Sequence, residues 1–190
     1  MFQDLPRHTF GVILADPPWR FRTWNETNQT KSASNHYQLM TLDEIKAMPV
    51  RDLAAKDCAL VLWATQSMLD QALDVMDTWG FKYKTAGAWA KQSLSGNSLA
   101  FGTGYLFRCA AEFFIVGSCG SPKSQAKDVR NLIVAPNREH SRKPTEMYEI
   151  LEKMFPSVPK VELFAREPRE GWYPWGNQTG KFARQKAGFF

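Results

Sequence analysis

The sequence predicts an α/β fold, a mostly parallel central sheet flanked by helices. Two observations carry this expectation. Short β-rich apolar runs alternate with stretches of helical periodicity along 190 residues. At 44% hydrophobic content the chain can bury one core, and its length leaves no room for a second full one. Residues 1–190 therefore read as a single domain without a separate target-recognition module, and the chain shows neither an internal repeat nor a low-complexity linker.

Phe10-Gly11-Val12-Ile13-Leu14-Ala15 reads as a buried strand, stopped at Asp16-Pro17-Pro18-Trp19 because proline cannot donate to a ladder. From Arg20 to Leu39 the composition turns polar over a length too great for a simple connector, which predicts a mobile loop over a site. Thr41 and Glu44 form a capping box for a helix running to about Ala55, with Leu42 and Ile45 starting its apolar face. Cys58 to Ala64 is a second buried strand. Ser67 to Trp79 is an amphipathic helix with Met68, Leu69, Ala72, Leu73, Val75 and Met76 along its inner stripe and Gly80 as its C-terminal cap.

Phe81 to Ala90 is the next strand, followed by the Gly/Ser-rich stretch Ser93 to Gly104. Glu112 to Gly117 and Val129 to Ala135 are further strands, separated by the basic loop SCGSPKSQAKD. Pro144 opens a helix to about Phe155, and Lys160 to Ala165 supplies the last strong strand. The tail after Arg166 is rich in Gly, Trp and Pro.

Composition narrows the function classes. The formal charge of +5 leans toward anionic partners, as it does in many ordinary proteins. Cys58, Cys109 and Cys119 are odd in number and lie within or beside apolar runs, which fits reduced thiols rather than a disulfide framework. No CxxC pair exists, and His8, His36 and His140 are too scattered for a zinc site, so no metal is implied. The start MFQDLPRHTF lacks a signal pattern, and no apolar run approaches the ~20 residues of a membrane span, so a cytoplasmic location is expected.

Asp16-Pro17-Pro18-Trp19 carries the most chemistry, because open α/β sheets bind ligands beyond the carboxyl ends of their strands. It offers a carboxylate, a rigid turn with free carbonyls and a large aromatic face. A flat heteroaromatic amine such as adenine N6 needs those three things: its lone pair is delocalised, and acceptors on both N–H bonds let the nitrogen pyramidalise toward a methyl donor. Asp16 would accept one N–H, the Pro17 carbonyl the other, and Trp19 would stack on the purine. In the packing alternative, Pro17-Pro18 merely ends a strand and Trp19 plugs the top of the core.

ADPPW after an apolar strand resembles the MT-A70 family of adenine-N6 methyltransferases. The likeness runs from Val12 to about Gly180 through His36-Tyr37-Gln38-Leu39, Leu60-Val61-Leu62-Trp63, Gly102-Thr103-Gly104-Tyr105, Glu112-Phe113-Phe114, His140-Ser141-Arg142-Lys143-Pro144, Glu162-Leu163-Phe164-Ala165-Arg166 and Gly176-Asn177-Gln178. The resemblance implies a Rossmann-like methyltransferase fold, circularly permuted so that the catalytic motif precedes the segments of the cofactor site, with S-adenosylmethionine as cofactor and no metal. It places Tyr37 on the target base and Lys143 against the cofactor carboxylate. Arg166 falls on the ribose side, Asn177 and Gln178 close the cofactor pocket, Glu162 belongs to the same pocket, and Asp16 meets the methionyl amine as well as the base. Each has a plainer alternative: a loop charge for Lys143, a turn for Asn177, a lid over the core for Tyr37, a strand end for Arg166. The chain departs from the family where Glu167-Pro168-Arg169-Glu170 replace a histidine and an asparagine.

With no separate recognition domain, the 20–39 and 92–108 loops would grip the polymer, with Lys31, Lys91, Arg108, Lys123, Lys127 and Arg130 as phosphate contacts. The resemblance to compact bacterial and phage forms favours DNA as substrate, with RNA next and a catalytically silent nucleic-acid-binding relative as a further alternative. A monomer or homodimer is expected.

Overall fold

The computed structural model describes residues 1–20, 39–138 and 142–180. Among them seven strands form one sheet in the order β5-β3-β4-β2-β1-β6-β7. The strands are β1 (Phe10–Ala15), β2 (Ala54–Ala64), β3 (Lys82–Gln92), β4 (Ala111–Cys119), β5 (Leu132–Pro136), β6 (Lys160–Leu163) and β7 (Trp172–Trp175). The helices are α1 (Leu42–Lys46), α2 (Leu69–Thr78) and α3 (Glu146–Met154). Every strand pair is parallel except those of β4, which runs antiparallel between β2 and β3. The α/β class and the mostly parallel, Rossmann-like sheet are thus as the sequence predicts.

β1 sits near the middle of the sheet and is buried along its whole length. Its side chains alternate between two cores, as a pleated strand requires. Ile13 and Ala15 join Ile45, Ala72, Val75 and Met76 on the side of α1 and α2. Val12 and Leu14 join Met147, Tyr148 and Leu151 on the side of α3. At about 25 cal/mol per Å² of apolar surface removed from water, these two layers supply the main drive that fixes where β1 ends.

Three features differ from expectation. The Thr41/Glu44 capping box is present, yet α1 stops at Lys46 rather than near Ala55. Pro49 has no N–H to continue the ladder, a short 3₁₀ turn covers Val50–Asp52, and β2 takes over at Ala54. Leu73, expected on the inner stripe of α2, is 39% exposed, because the packed stripe is Ala72, Val75 and Met76. The Gly/Trp/Pro tail contains a strand the sequence did not announce. β7 pairs with β6 at the sheet margin, where Pro174 is tolerated.

Gly80 closes α2 as expected, at φ 78°, with its N–H donating to the Asp77 carbonyl (2.8 Å) and the Phe81 N–H to the Met76 carbonyl (3.1 Å). Replacing Gly80 by alanine forces a Cβ into the left-handed region and should cost about 1–2 kcal/mol. That corresponds to a fall in Tm of a few degrees, readable by thermal denaturation; an unchanged Tm would show that the cap carries no strain.

Candidate active site

The parallel strands β1, β6 and β7 all deliver their carboxyl ends to one edge of the sheet, and the residues just beyond each strand line a common cavity. Asp16 and Pro18 come after β1, Phe164-Ala165-Arg166 after β6, and Gly176-Asn177-Gln178 after β7. With Met40, Glu44 and Trp175 they enclose about 370 Å³. A smaller cavity adjoins it through Asp16, Phe164 and Arg166 and adds Arg142, Lys143, Tyr148, Glu162 and Glu167.

The backbone here is held under tension. Phe164 adopts φ 65°, a conformation that costs a non-glycine residue about 1–3 kcal/mol and persists only where surroundings enforce it. The Ala165 N–H donates to the Trp175 carbonyl at 2.9 Å. Gly176 lies so near this chain that a Cβ would stand 2.8 Å from the Ala165 carbonyl oxygen and 2.9 Å from its nitrogen. The two segments are therefore interlocked, and only glycine permits the approach.

The charges form a chain. Lys143, 11% exposed, donates to Asp16 Oδ2 and to Glu112 Oε1, both at 2.8 Å, and its ammonium lies 5.4 Å from the Trp63 ring centroid. Glu112 in turn receives Lys91 at Oε2 (2.8 Å). Arg166 stands 4.0 Å from Asp16 Oδ2. Burial opposes charge on Lys143, but Asp16 and Glu112 outweigh it and hold the ammonium protonated. Burial likewise opposes ionisation of Glu112, and Lys143 and Lys91 overcome it, keeping the carboxyl well below its usual range. Among the described residues both contacts to Asp16 use Oδ2, which leaves Oδ1 for an incoming donor.

Glu162 is different. It is buried and accepts a 2.7 Å hydrogen bond from Tyr148. Burial raises its carboxyl to about 7, against the pull of the Tyr148 hydroxyl and with the help of the Asp16 and Glu167 charges. The departure after Arg166 builds ion pairs: Glu167 accepts a forked contact from Arg142 (3.0 and 2.5 Å), and Arg169 donates one to Glu152 (2.7 and 2.9 Å).

The structure thus gathers Asp16, Pro18, Lys143, Glu162, Arg166, Asn177 and Gln178 at one place. Three expectations change. Trp19 is 4% exposed, packs in the core under the edge and donates its indole N–H to the Trp63 carbonyl (3.2 Å), so its face is turned inward instead of being offered to a base. The Pro17 carbonyl already accepts the Trp19 N–H (2.8 Å), leaving one lone pair for a ligand. Lys123, Lys127 and Arg130 are exposed on the connection from β4 to β5, and because β4 runs antiparallel that connection lies at the opposite edge of the sheet. Lys91 is committed to Glu112, and Arg108 lies 5.4 Å from the Phe101 ring on the β3–β4 loop. Tyr37, Lys31 and most of the 20–39 loop fall outside the described residues.

Sequence reasoning missed Glu112 as a member of the site. In a parallel strand an opening residue would sit at the far edge; the reversal of β4 brings it to the near one. The available signal was a lone carboxylate opening the otherwise apolar run EFFIVG.

The cavity suits an amphiphilic nucleoside. Its size lies within the range of about 300–1,000 Å³ usual for ligand pockets, and it mixes apolar walls (Met40, Phe164, Trp175) with a cation and two amides. S-adenosylmethionine has that character, with a flat base, a sugar and a zwitterionic end. Among the described residues no cluster of His, Cys, Asp and Glu could hold a metal ion.

Comparison with known proteins agrees in direction. The MT-A70 family model matches residues 10–178. The chain is 32% identical to Type II methyltransferase M.MunI of Mycoplasma sp, over 93% of this chain and 80% of that protein. It is 34% identical to the N(6)-adenosine-methyltransferase MT-A70-like protein of Arabidopsis thaliana and 30% identical to the N(6)-adenine-specific methyltransferase METTL4 of Mus musculus. Those matches cover 90% and 92% of this chain but only 24% and 38% of the relatives' own lengths.

Two outcomes test this arrangement. Glu162 has a folded-state pKa above its ordinary value of 4.5, so the stability it contributes is complete below 4.5 and is lost as pH rises through about 7. Thermal melts between these limits should therefore show Glu162→Gln gaining on the parent chain as pH rises, by at least about 3 °C; a constant gap would mean that Glu162 titrates normally. Trp19→Ala should lose about 3–5 kcal/mol in urea unfolding, as expected for a buried aromatic and not for a base-stacking one.

Proposed function

The chain belongs to the MT-A70 family, and from that premise we propose that it transfers a methyl group from S-adenosylmethionine to the N6 amine of adenine in DNA. The observation that carries the reading is the placement of Asp16 between the two cavities, with one carboxylate oxygen anchored and the other unclaimed among the described residues. S-adenosylmethionine, when bound, supplies an electrophilic methyl carbon on a cationic sulfur. Arg166, Asn177 and Gln178 line the larger cavity, where they would hold it beside Gly176, and Glu162 borders the smaller one.

Asp16 Oδ1 accepts one N–H of the adenine amine, and the remaining lone pair of the Pro17 carbonyl accepts the other. Held at both bonds, the nitrogen would turn its own lone pair toward the methyl carbon, and Asp16 would take up the proton that the amine gives up on transfer. Lys143 fixes the direction of that carboxylate because it is itself fixed by Glu112. Trp19 acts from behind, bracing the Pro-Pro turn through its bond to Trp63. Alignment is the main contribution, since holding two reactants in line can supply about 7–11 kcal/mol of the barrier.

DNA is preferred to RNA because Type II methyltransferase M.MunI is matched over 80% of its own length, whereas the N(6)-adenosine-methyltransferase MT-A70-like protein of Arabidopsis thaliana is matched over 24%. We place the protein in the cytoplasm, and none of its described helices is long and apolar enough to cross a membrane.

The test is transfer of labelled methyl groups to adenine-containing DNA and RNA oligomers, with nucleosides identified by mass spectrometry. N6-methyladenine on DNA is expected. Label on RNA alone would reverse the substrate, and label on neither, with cofactor still bound, would end the proposal. Asp16→Asn should lower kcat by about 10²-fold or more.

A further inference from the structure

Nine residues lead into β1, and only two of their side chains are buried. Phe2 and Leu5, each 9% exposed, join the core on the side of α1 and α2. The Leu5 N–H donates to the Phe2 carbonyl (3.2 Å), and the far end of the segment is pinned where the His8 and Thr9 N–H groups donate to the Asp52 and Leu53 carbonyls (2.8 and 3.0 Å). Phe2 and Leu5 also border a second cavity of about 330 Å³, which reaches Pro49 and Leu53.

Phe2 does not line the cavity of the candidate active site, yet its ring meets one that does. Phe2 and Trp175 lie 4.8 Å apart between ring centroids, at 70°. Trp175 has a second such neighbour in Phe164, at 5.8 Å and 77°. The Trp175 backbone is held by its pairing with Leu163 and by the bond from the Ala165 N–H. That leaves the indole free to turn about its own side-chain bonds, and two rings meeting it at steep angles remove this freedom. Without the Phe2 ring, the second cavity would give the indole room to turn away.

The active-site cavity has two unlike ends. Asp16 and Arg166 are shared with the smaller cavity, where Arg142, Lys143, Glu162 and Glu167 gather, and that end suits the zwitterionic part of S-adenosylmethionine. Phe164 borders both cavities, whereas Trp175 lines only the larger one. Trp175 is therefore the aromatic wall that the charged end does not share, and a purine stacks on such a face. Resting on the S-adenosylmethionine reading above, we propose that Trp175 receives the purine of the cofactor and that Phe2, outside the cavity, is a positioning residue that holds the indole in place for it.

Calorimetric titration of the full chain with S-adenosylmethionine tests this. Trp175→Leu should weaken binding by about 10-fold, and Phe2→Ala by about fivefold through the loosened indole. Phe2→Leu, which refills the space, should bring affinity back to within about twofold of the parent chain. In the Trp175→Leu background Phe2→Ala should cause no further loss, because its effect runs through the indole. Additive losses would make Phe2 a general support of the fold and overturn the proposal. A parent chain that binds no S-adenosylmethionine overturns the cofactor reading together with this inference. A parent chain that binds it, with affinity unchanged in either Trp175→Leu or Phe2→Ala, overturns this inference alone.

Discussion

A single buried ammonium organises this protein's chemistry. Lys143 enters from the turn before α3 and lies between two carboxylates that arrive on strands of opposite direction, Asp16 from β1 and Glu112 from β4. Removing a charge from water costs several kcal/mol unless partners compensate it, and here the two carboxylates compensate the ammonium, while Lys91 and Arg166 complete the balance at Glu112 and Asp16. The arrangement is rigid for that reason. Neither carboxylate can swing away without leaving the ammonium undercompensated beside Trp63.

Most of the architecture is legible from local pattern. The apolar run into Asp16-Pro17-Pro18, the Thr41/Glu44 box, the Gly80 cap and the strands around Leu62 and Ile115 all come from periodicity and turn chemistry. The errors fall where a neighbour overrides that pattern. α1 ends early because β2 begins at Ala54 and claims the residues a longer helix would have used. β7 is hidden because Trp172-Tyr173-Pro174-Trp175 has no alternation, and it becomes a strand only through pairing with β6.

The site was partly legible for a related reason. Residues that come directly after parallel strands visible in the sequence could be placed, since their edge is known once the strand is known; Asp16 and Arg166 belong to this class, whereas Asn177 follows the hidden β7 and was reached through the family resemblance alone. Glu112 and the cations at 123–130 could not, because a single reversed strand exchanges the edges of everything attached to it. Whether Trp19 faces a ligand or the core depends on the space beneath the Pro-Pro turn, and that space is set by Trp63, 44 residues away.

The prolines at the two outermost strands carry one more implication. Pro136 closes β5, and Pro174 sits within β7, so each margin of the sheet lacks a donor that an added strand would require. Lateral growth by backbone recruitment, the route to fibrils and swapped edges, is discouraged on both flanks. Assembly through side chains, specific and reversible, is thereby favoured over pairing at these margins.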